Sequence, residues 1–303
     1  SPQQYDDENK PKPRHIANAK FMNAIQNEVF RRGHLSVENF SQTVSKTKSH
    51  PPFTTALLLK SASSTLNLSI TKTMEVAQKL FEKALITYHR TDSTNFEPDS
   101  IKLIRDFISK WQASKGSSKY LSPQVNRFKT GDSAQEGHEP IRPTDLNFDI
   151  NTIHDPIERS LYQLIFCRAI ASQMSDAEFY KTEVLLDSGF AIGGIPVKFT
   201  TAGRVQTFDG WMVVNRELTE LDEHNDKVAE QTIPDLFKDQ SIQVLNSEVL
   251  KKQTKPPSRY TEASLVKKLE ELGIGRPSTY APTIGKIMEE KRGYVTKDSR
   301  EGV

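Results

Sequence analysis

The run Leu85-Ile86-Thr87-Tyr88-His89-Arg90-Thr91-Asp92-Ser93-Thr94 places a phenol beside a guanidinium and several hydroxyls, in a segment between two helical periods. A phenol ionises near pH 10, so only about one part in a thousand is phenolate at neutral pH. An adjacent cation favours the phenolate and can also hold a phosphate that the phenolate attacks. Arg90 stands where such a cation would be needed. The same residues admit a structural reading, with Tyr88 as half-buried packing at a helix end and Thr-Asp-Ser-Thr as a turn or cap. A second candidate, His138, lies between Gly137 and Glu139, with Pro140 and Pro143 close behind. Seen alone, a histidine in such a loop is more often a structural hydrogen-bonder than a catalytic group.

The elements that must position these residues can be read from hydrophobic periods. Met22, Ile25 and Val29 recur at helical spacing between Ile16 and Arg32, with Gly33 as a stop. A short strand is expected around HLSVENF, and the Ser/Thr/Lys-rich residues 41–52 read as a connection. Residues 53–175 read as helical: a first helix after Phe53, a second from Thr71 to Leu85, a third opening at Pro98, and a fourth from Pro156 to Met174. The irregular stretch 113–152 between the last two is long enough to suggest a functional or mobile loop. Residues 179–214, broken by Gly189, Gly193-Gly194, Gly203 and Gly210, predict a meander of short strands, and SIQVLNSEVLK a further strand. Helical period returns at Thr261, a good N-cap, with Leu265, Leu269 and Leu272 in a stripe closed by Gly273; another helix opens at Pro277-Ser278-Thr279.

Composition bounds the function classes. The 303 residues allow two or three domains of ordinary size. No apolar run approaches the roughly 20 residues that span a bilayer, and the polar N-terminal stretch, read as a disordered or cut end, is not a signal peptide. The single Cys167 sits in an apolar helical run and reads as core, so neither a disulfide framework nor a zinc ribbon is expected. The net charge of +2 is silent about nucleic acid, but residues 216–240 are acid-rich and 251–292 lean basic, so a phosphate-facing surface would be local. Asp6-Asp7-Glu8 reads as a solvated charge run, and His15, His34, His50 and His154 as surface or packing residues.

Six blocks, PPFTTALLLKSAS, ITKTMEVAQKLFEKALITYHRTDSTNF, QEGHEPIRPT, FDGW, TKPPSRYTEASLVKKLEELGIGRPSTYAPTI and GYV, stand in an order and spacing that resembles bacterial DNA topoisomerase I, a type IA DNA topoisomerase. The resemblance covers about residues 17 to 295. It implies that Tyr88 forms a 5′-phosphotyrosyl link, that Arg90 orients the scissile phosphate, and that His138 supports the site. It further implies that Arg276, Ser278 and Thr279 line a single-strand groove and that Arg259 touches backbone phosphates. Tyr280 and Trp211 are aromatic candidates for base stacking, with packing favoured for Trp211. Two departures stand out: LLLKSAS replaces the family's Gln- and Ala-rich text after PPFTT, and His89 follows the tyrosine where other members vary, so no role is assigned to it.

The fold class implied by the resemblance is α+β and multidomain: a type IA topoisomerase arch with an inserted, mainly helical domain carrying the tyrosine. Residues 1–15 form an end segment, 16–47 with 176–250 the β-rich arch, 48–175 the tyrosine domain, and 251–303 the start of a helical DNA-groove domain. The expected partners are single-stranded and negatively supercoiled DNA and an N-terminal Toprim domain, whose acidic cluster would bind Mg²⁺; no metal site is expected within these residues. The chain therefore reads as a fragment that cannot complete the reaction alone, from a cytoplasmic, nucleoid-associated protein without a membrane segment. The alternatives are the topoisomerase part of a reverse gyrase or topoisomerase III-like enzyme, and a non-enzymatic single-strand-binding module.

Overall fold

The structure is a computed structural model and describes residues 19–129, 138–214, 232–253, 256–289, 291 and 293–296. The elements run α1 (Ala19–Arg32), β1 (His34–Thr47), α2 (Thr55–Thr65), α3 (Ile70–Glu82), α4 (Pro98–Ser114), α5 (Pro156–Ala171), β2 (Ala177–Ile192), β3 (Ile195–Phe208), β4 (Ser241–Gln243), α6 (Glu262–Glu271) and α7 (Tyr280–Met288). Helices and one four-stranded sheet, in the order β3-β2-β1-β4, make the α+β class expected from sequence. The chain divides into two compact units, one of residues 1–44, 180–205 and 229–256, the other of 45–179, 206–228 and 257–303.

In the first unit, α1 lays Ile25 and Val29 against Val197, with Phe21, Met22, Phe190 and Phe199 around them. Gly33 ends α1 through its N–H to the Val29 carbonyl at 3.0 Å. β4 pairs antiparallel with β1 through His34↔Gln243, Leu35↔Ile242 and Ser36↔Ser241. In place of a meander of short strands, residues 179–208 lie in two long ones, and a short 3-10 helix follows at Gly210–Met212. Of their glycines only Gly193-Gly194, with φ of 57° and 77°, make the turn, the pair of positive values that a two-residue hairpin loop needs. β1 likewise runs to Thr47 and absorbs much of the expected connection, because its second half alternates polar residues with few buried ones and so carries no apolar stripe to betray it. SIQVLNSEVLK contributes only three residues of strand.

The second unit is built around α5, which is apolar on nearly every side, as a core helix must be. One side packs Leu161, Leu164 and Ile165 with Phe53, Leu58, Val76, Leu80, Ile86 and Ile141; the other packs Cys167, Ala169 and Ile170 with Ile104, Ile108, Met174 and Trp211. Cys167 is core, as read from sequence. Starts follow the expected chemistry: Ser69 caps α3, Pro98 opens α4, Asp155 accepts from the Ile157 and Glu158 amides before Pro156 of α5, and Thr261 forms a reciprocal capping box with Ser264 at α6. No helix among the described residues is long and apolar enough to cross a membrane.

FDGW is structural. Gly210 has φ +51° and lies so close to the chain that a Cβ would sit 2.4 Å from the Asp176 carbonyl oxygen. The next residue, Trp211, donates its backbone N–H to Ser175 and its indole Nε1 to the Thr47 carbonyl, both at 3.0 Å, and its ring is buried against His50. Gly210→Ala should therefore force the backbone apart and cost about 3 kcal/mol or more, through left-handed strain and a steric clash together. Equilibrium unfolding measures this; a variant within about 0.5 kcal/mol of the parent, the range of ordinary surface changes, would show that the contact yields freely.

Candidate active site

α3 ends at Glu82, and Lys83 ion-pairs with the buried carboxylate of Glu158 at the start of α5. Ala84 then takes a left-handed conformation, φ +57°, which costs a residue with a Cβ roughly 1–2 kcal/mol. The turn is held from outside: Thr144 Oγ1 donates to the Ala84 carbonyl at 2.6 Å and Thr144 N–H to that of Leu85 at 3.1 Å. The chain leaves this turn extended. Ile86 bridges Pro143, and Thr87 N–H donates to the Arg142 carbonyl at 2.9 Å. Thr87 Oγ1 donates to the Pro140 carbonyl and accepts from Arg142 N–H, each at 3.0 Å. Ile141 N–H in turn donates to the Phe53 carbonyl at 2.8 Å. Three blocks far apart in sequence, PPFTT, EPIRPT and ITY, thus form one small backbone ladder. Glu139 tightens it by accepting from Arg142 Nε and Nη2 and from Ser100 Oγ.

Tyr88 follows the ladder directly. The residue is 45% exposed, and its ring stands edge-on to Phe81 and His89, with centroids 5.3 Å and 5.4 Å away. Arg90 is exposed beside it. The hydroxyls of the Thr-Asp-Ser-Thr run turn inward: Thr91 Oγ1 accepts from Ser93 N–H, Ser93 Oγ accepts from Asn95 N–H, and all three hydroxyl residues are buried. The turn reading is right for these residues, while Tyr88 is presented. His138 is exposed two residues before Pro140, the acceptor of the Thr87 hydroxyl, so backbone pairing brings its segment to the tyrosine's.

The Arg-Pro-Ser-Thr-Tyr block belongs to the same unit. Ala56 and Leu59 of α2 pack with Val266 of α6 and Tyr280 and Ile284 of α7. Arg259, Arg276 and Ser278 are exposed. Thr279 instead braces its own turn, its Oγ1 accepting from Arg276 N–H at 2.8 Å. Tyr280 is buried in the α2–α6–α7 cluster, which withdraws it as a stacking surface; the exposed rings nearby are Tyr260 and Tyr294, 64% and 71% accessible. Burial raises the carboxyl of Glu270 above its usual range, with Asp92 of the tyrosine loop adding to the effect. The loop and α6 therefore feel each other electrostatically. Among the described residues no group of three or more His, Cys, Asp or Glu side chains could hold a metal ion, and Asp6-Asp7-Glu8 lies outside them.

The DNA topoisomerase family model matches residues 1–303, and the chain belongs to that family. DNA topoisomerase 1 of Pseudomonas aeruginosa is 38% identical over 259 residues, which are 84% of this chain and 28% of that protein. DNA topoisomerase 1 of Helicobacter pylori is 35% identical over 307 residues, 97% of this chain and 38% of that protein. The structure of full-length topoisomerase I from Thermotoga maritima superposes with a TM-score of 0.75 at 30% identity, over 95% of this chain and 45% of that one. The family resemblance read from the six blocks is borne out. The chain spans about 28–38% of the length of these curated relatives.

Two residues that the sequence reading passed over are central here. Thr55 holds the loop after Tyr88 through its hydroxyl, bonded to the His89 carbonyl and the Thr91 N–H; the surplus threonine in PPFTT was the available signal. His89 is fully buried, and neither ring nitrogen has a hydrogen-bond partner among the described residues. Burial, with Arg90 beside it, pushes its pKa down to about 4, against a weaker opposing pull from Glu82. In the unfolded chain a histidine titrates near 6.5. Between those values the unfolded state carries the extra proton, so this contribution to stability is complete above about pH 6.5 and is lost as pH falls toward 4, with a slope of up to about 1.4 kcal/mol per unit. His89→Leu should remove that part of the acid slope in thermal melts between pH 4 and 7. An unchanged slope would mean that the imidazole is not buried neutral.

Proposed function

We propose that this chain carries the strand-cleaving centre of a type IA DNA topoisomerase, with Tyr88 as nucleophile. The observation that carries this reading is the contrast in one loop: the hydroxyl residues Thr91, Ser93 and Thr94 are buried, while Tyr88 is nearly half exposed and Arg90, two residues on, is exposed as well. A nucleophile must be accessible, and its backbone must be fixed. Tyr88 meets both requirements.

In the proposed reaction the Tyr88 oxygen forms a bond to the phosphorus of a single-strand phosphodiester and the bond from phosphorus to the 3′ oxygen breaks. The electron pair leaves with that oxygen, which takes a proton. The phenol's proton passes to solvent or a neighbouring base. The product is a 5′-phosphotyrosine and a free 3′-hydroxyl, and one phosphodiester has replaced another, so the 3′-hydroxyl can reseal the strand without ATP. Strand passage between the two steps would relax negative supercoils. Arg90 and His138 would stabilise charge on the scissile phosphate. Arg259, Arg276 and Ser278 would contact the backbone of the single strand, with Thr279 shaping the turn that presents Arg276. Tyr260 supplies a face on which a base could stack. The resemblance places Mg²⁺ on an acidic cluster of an N-terminal Toprim domain; the residues described here do not supply such a cluster, and no step above runs through it.

The test uses the full-length protein with a labelled single-stranded oligonucleotide, quenched by detergent to trap the covalent product. Tyr88→Phe should abolish the adduct while leaving salt-dependent DNA binding intact. An adduct that survives in the phenylalanine protein would refute the nucleophile. Binding without any phosphotyrosyl product in the parent protein would instead identify a single-strand-binding module.

A further inference from the structure

Two threonines stand together at the start of α2, where a cap requires one. Thr54 does the capping, its Oγ1 accepting from Leu57 N–H at 3.3 Å. Thr55 is the first helical residue and is fully buried. Its backbone N–H donates to the Thr91 carbonyl at 2.8 Å. Its hydroxyl lies 2.8 Å from the His89 carbonyl and 3.1 Å from the Thr91 carbonyl, sharing one proton between them, and accepts from Thr91 N–H at 2.9 Å. A hydroxyl has one donor and two acceptor sites, so both its functions are engaged. The His89 carbonyl belongs to the peptide before Arg90, the Thr91 N–H to the peptide after it, and the Thr91 carbonyl to the next peptide along. The direction in which Arg90 leaves the backbone is thus set from α2, across more than thirty residues of sequence.

We propose that Thr55 is a positioning residue for strand cleavage: by holding the peptide planes on either side of Arg90, it presents the guanidinium and the adjoining Tyr88 phenol to the scissile phosphate in a single arrangement. This rests on Tyr88 being the nucleophile. The ladder fixes the backbone up to Thr87, and nothing in it reaches residues 89–91. Thr55 completes the grip from the other side. Loss of orientation at a reacting centre is expensive; a misplacement on the order of 1 Å can cost about 100-fold in rate.

Two substitutions in the full-length protein separate the hydroxyl from the methyl. Thr55→Val keeps the shape and removes the hydroxyl; Thr55→Ser keeps the hydroxyl and removes the methyl. The valine protein, assayed below its melting midpoint, should cleave saturating single-stranded DNA roughly 30- to 100-fold more slowly in a single turnover, with its DNA affinity within about threefold of the parent. The serine protein should recover cleavage to within about threefold. A valine protein that cleaves at the parental rate, while Tyr88→Phe is inert, overturns the positioning role and leaves the nucleophile standing. Equal losses in the serine and valine proteins also overturn it, since a protein that keeps the hydroxyl would then be as impaired as one that lacks it. So would a loss of affinity that accounts for the whole loss of rate, which would assign Thr55 to binding. An adduct in Tyr88→Phe would overturn the underlying reading itself.

Discussion

The pairing of Thr87 with the 140–143 segment is the constraint on which the rest of the site depends. A tyrosine just beyond a helix end has no intrinsic direction, because the backbone after the last helical turn is free to choose among several basins. Here the choice is removed by hydrogen bonds on both sides of Thr87, main chain to Arg142 and side chain to Pro140 and Arg142. Ile86, one step earlier, is buried in the core with Phe53 and Ile141. The ladder therefore has an apolar root and a polar grip, and Tyr88 is the first residue past both.

The segment is held at a local cost. Ala84 sits in a conformation that glycine would adopt more readily, and His89 is buried with its ring nitrogens unpaired among the described residues. Each of these is unfavourable by roughly 1–3 kcal/mol. They persist because the surroundings over-determine them: Thr144 holds the carbonyls of the turn, Glu158 at the head of α5 anchors Lys83, and the rings of Phe81, Tyr88 and His89 pack on one another, Tyr88 edge-on to both of the others. Unfavourable geometry concentrated around one half-exposed phenol is the pattern expected where function and stability compete.

α2 serves both parts of the candidate site. Its first residue reaches the loop after Tyr88, and Ala56 and Leu59 carry α6 and α7, the helices that flank the Arg276 turn. Glu262 of α6 also accepts from the Ile70 amide at the start of α3, the helix that leads to Tyr88. A displacement of α6 and α7 would thus be felt at the base of the tyrosine loop through packed contacts.

Much of this was legible in the residues themselves. Apolar spacing and capping chemistry placed the helices to within a few residues, Cys167 read correctly as core, and the blocks around Tyr88 and the Arg276 turn carried the family. Local patterns misled where the deciding contact was distant. β1 lost its outline because its second half buries little, the glycines of residues 179–214 suggested four breaks where only Gly193-Gly194 and Gly210 interrupt the strands, and Tyr280 could not be known to be buried until α2 lay beside it. The hydroxyls of Thr91, Ser93 and Thr94 illustrate the limit: their types fit chemistry and turn-making equally, and only the folded loop turned them inward. The sequence by itself determined which side chains were available and which segments would be helical, since both follow from neighbours a few residues apart. The tertiary structure alone decided that Phe53, Ile86 and Ile141 would meet and that Thr55 would grip residues 89–91, because these partners lie more than thirty residues apart and a residue's type does not name the distant group it will meet.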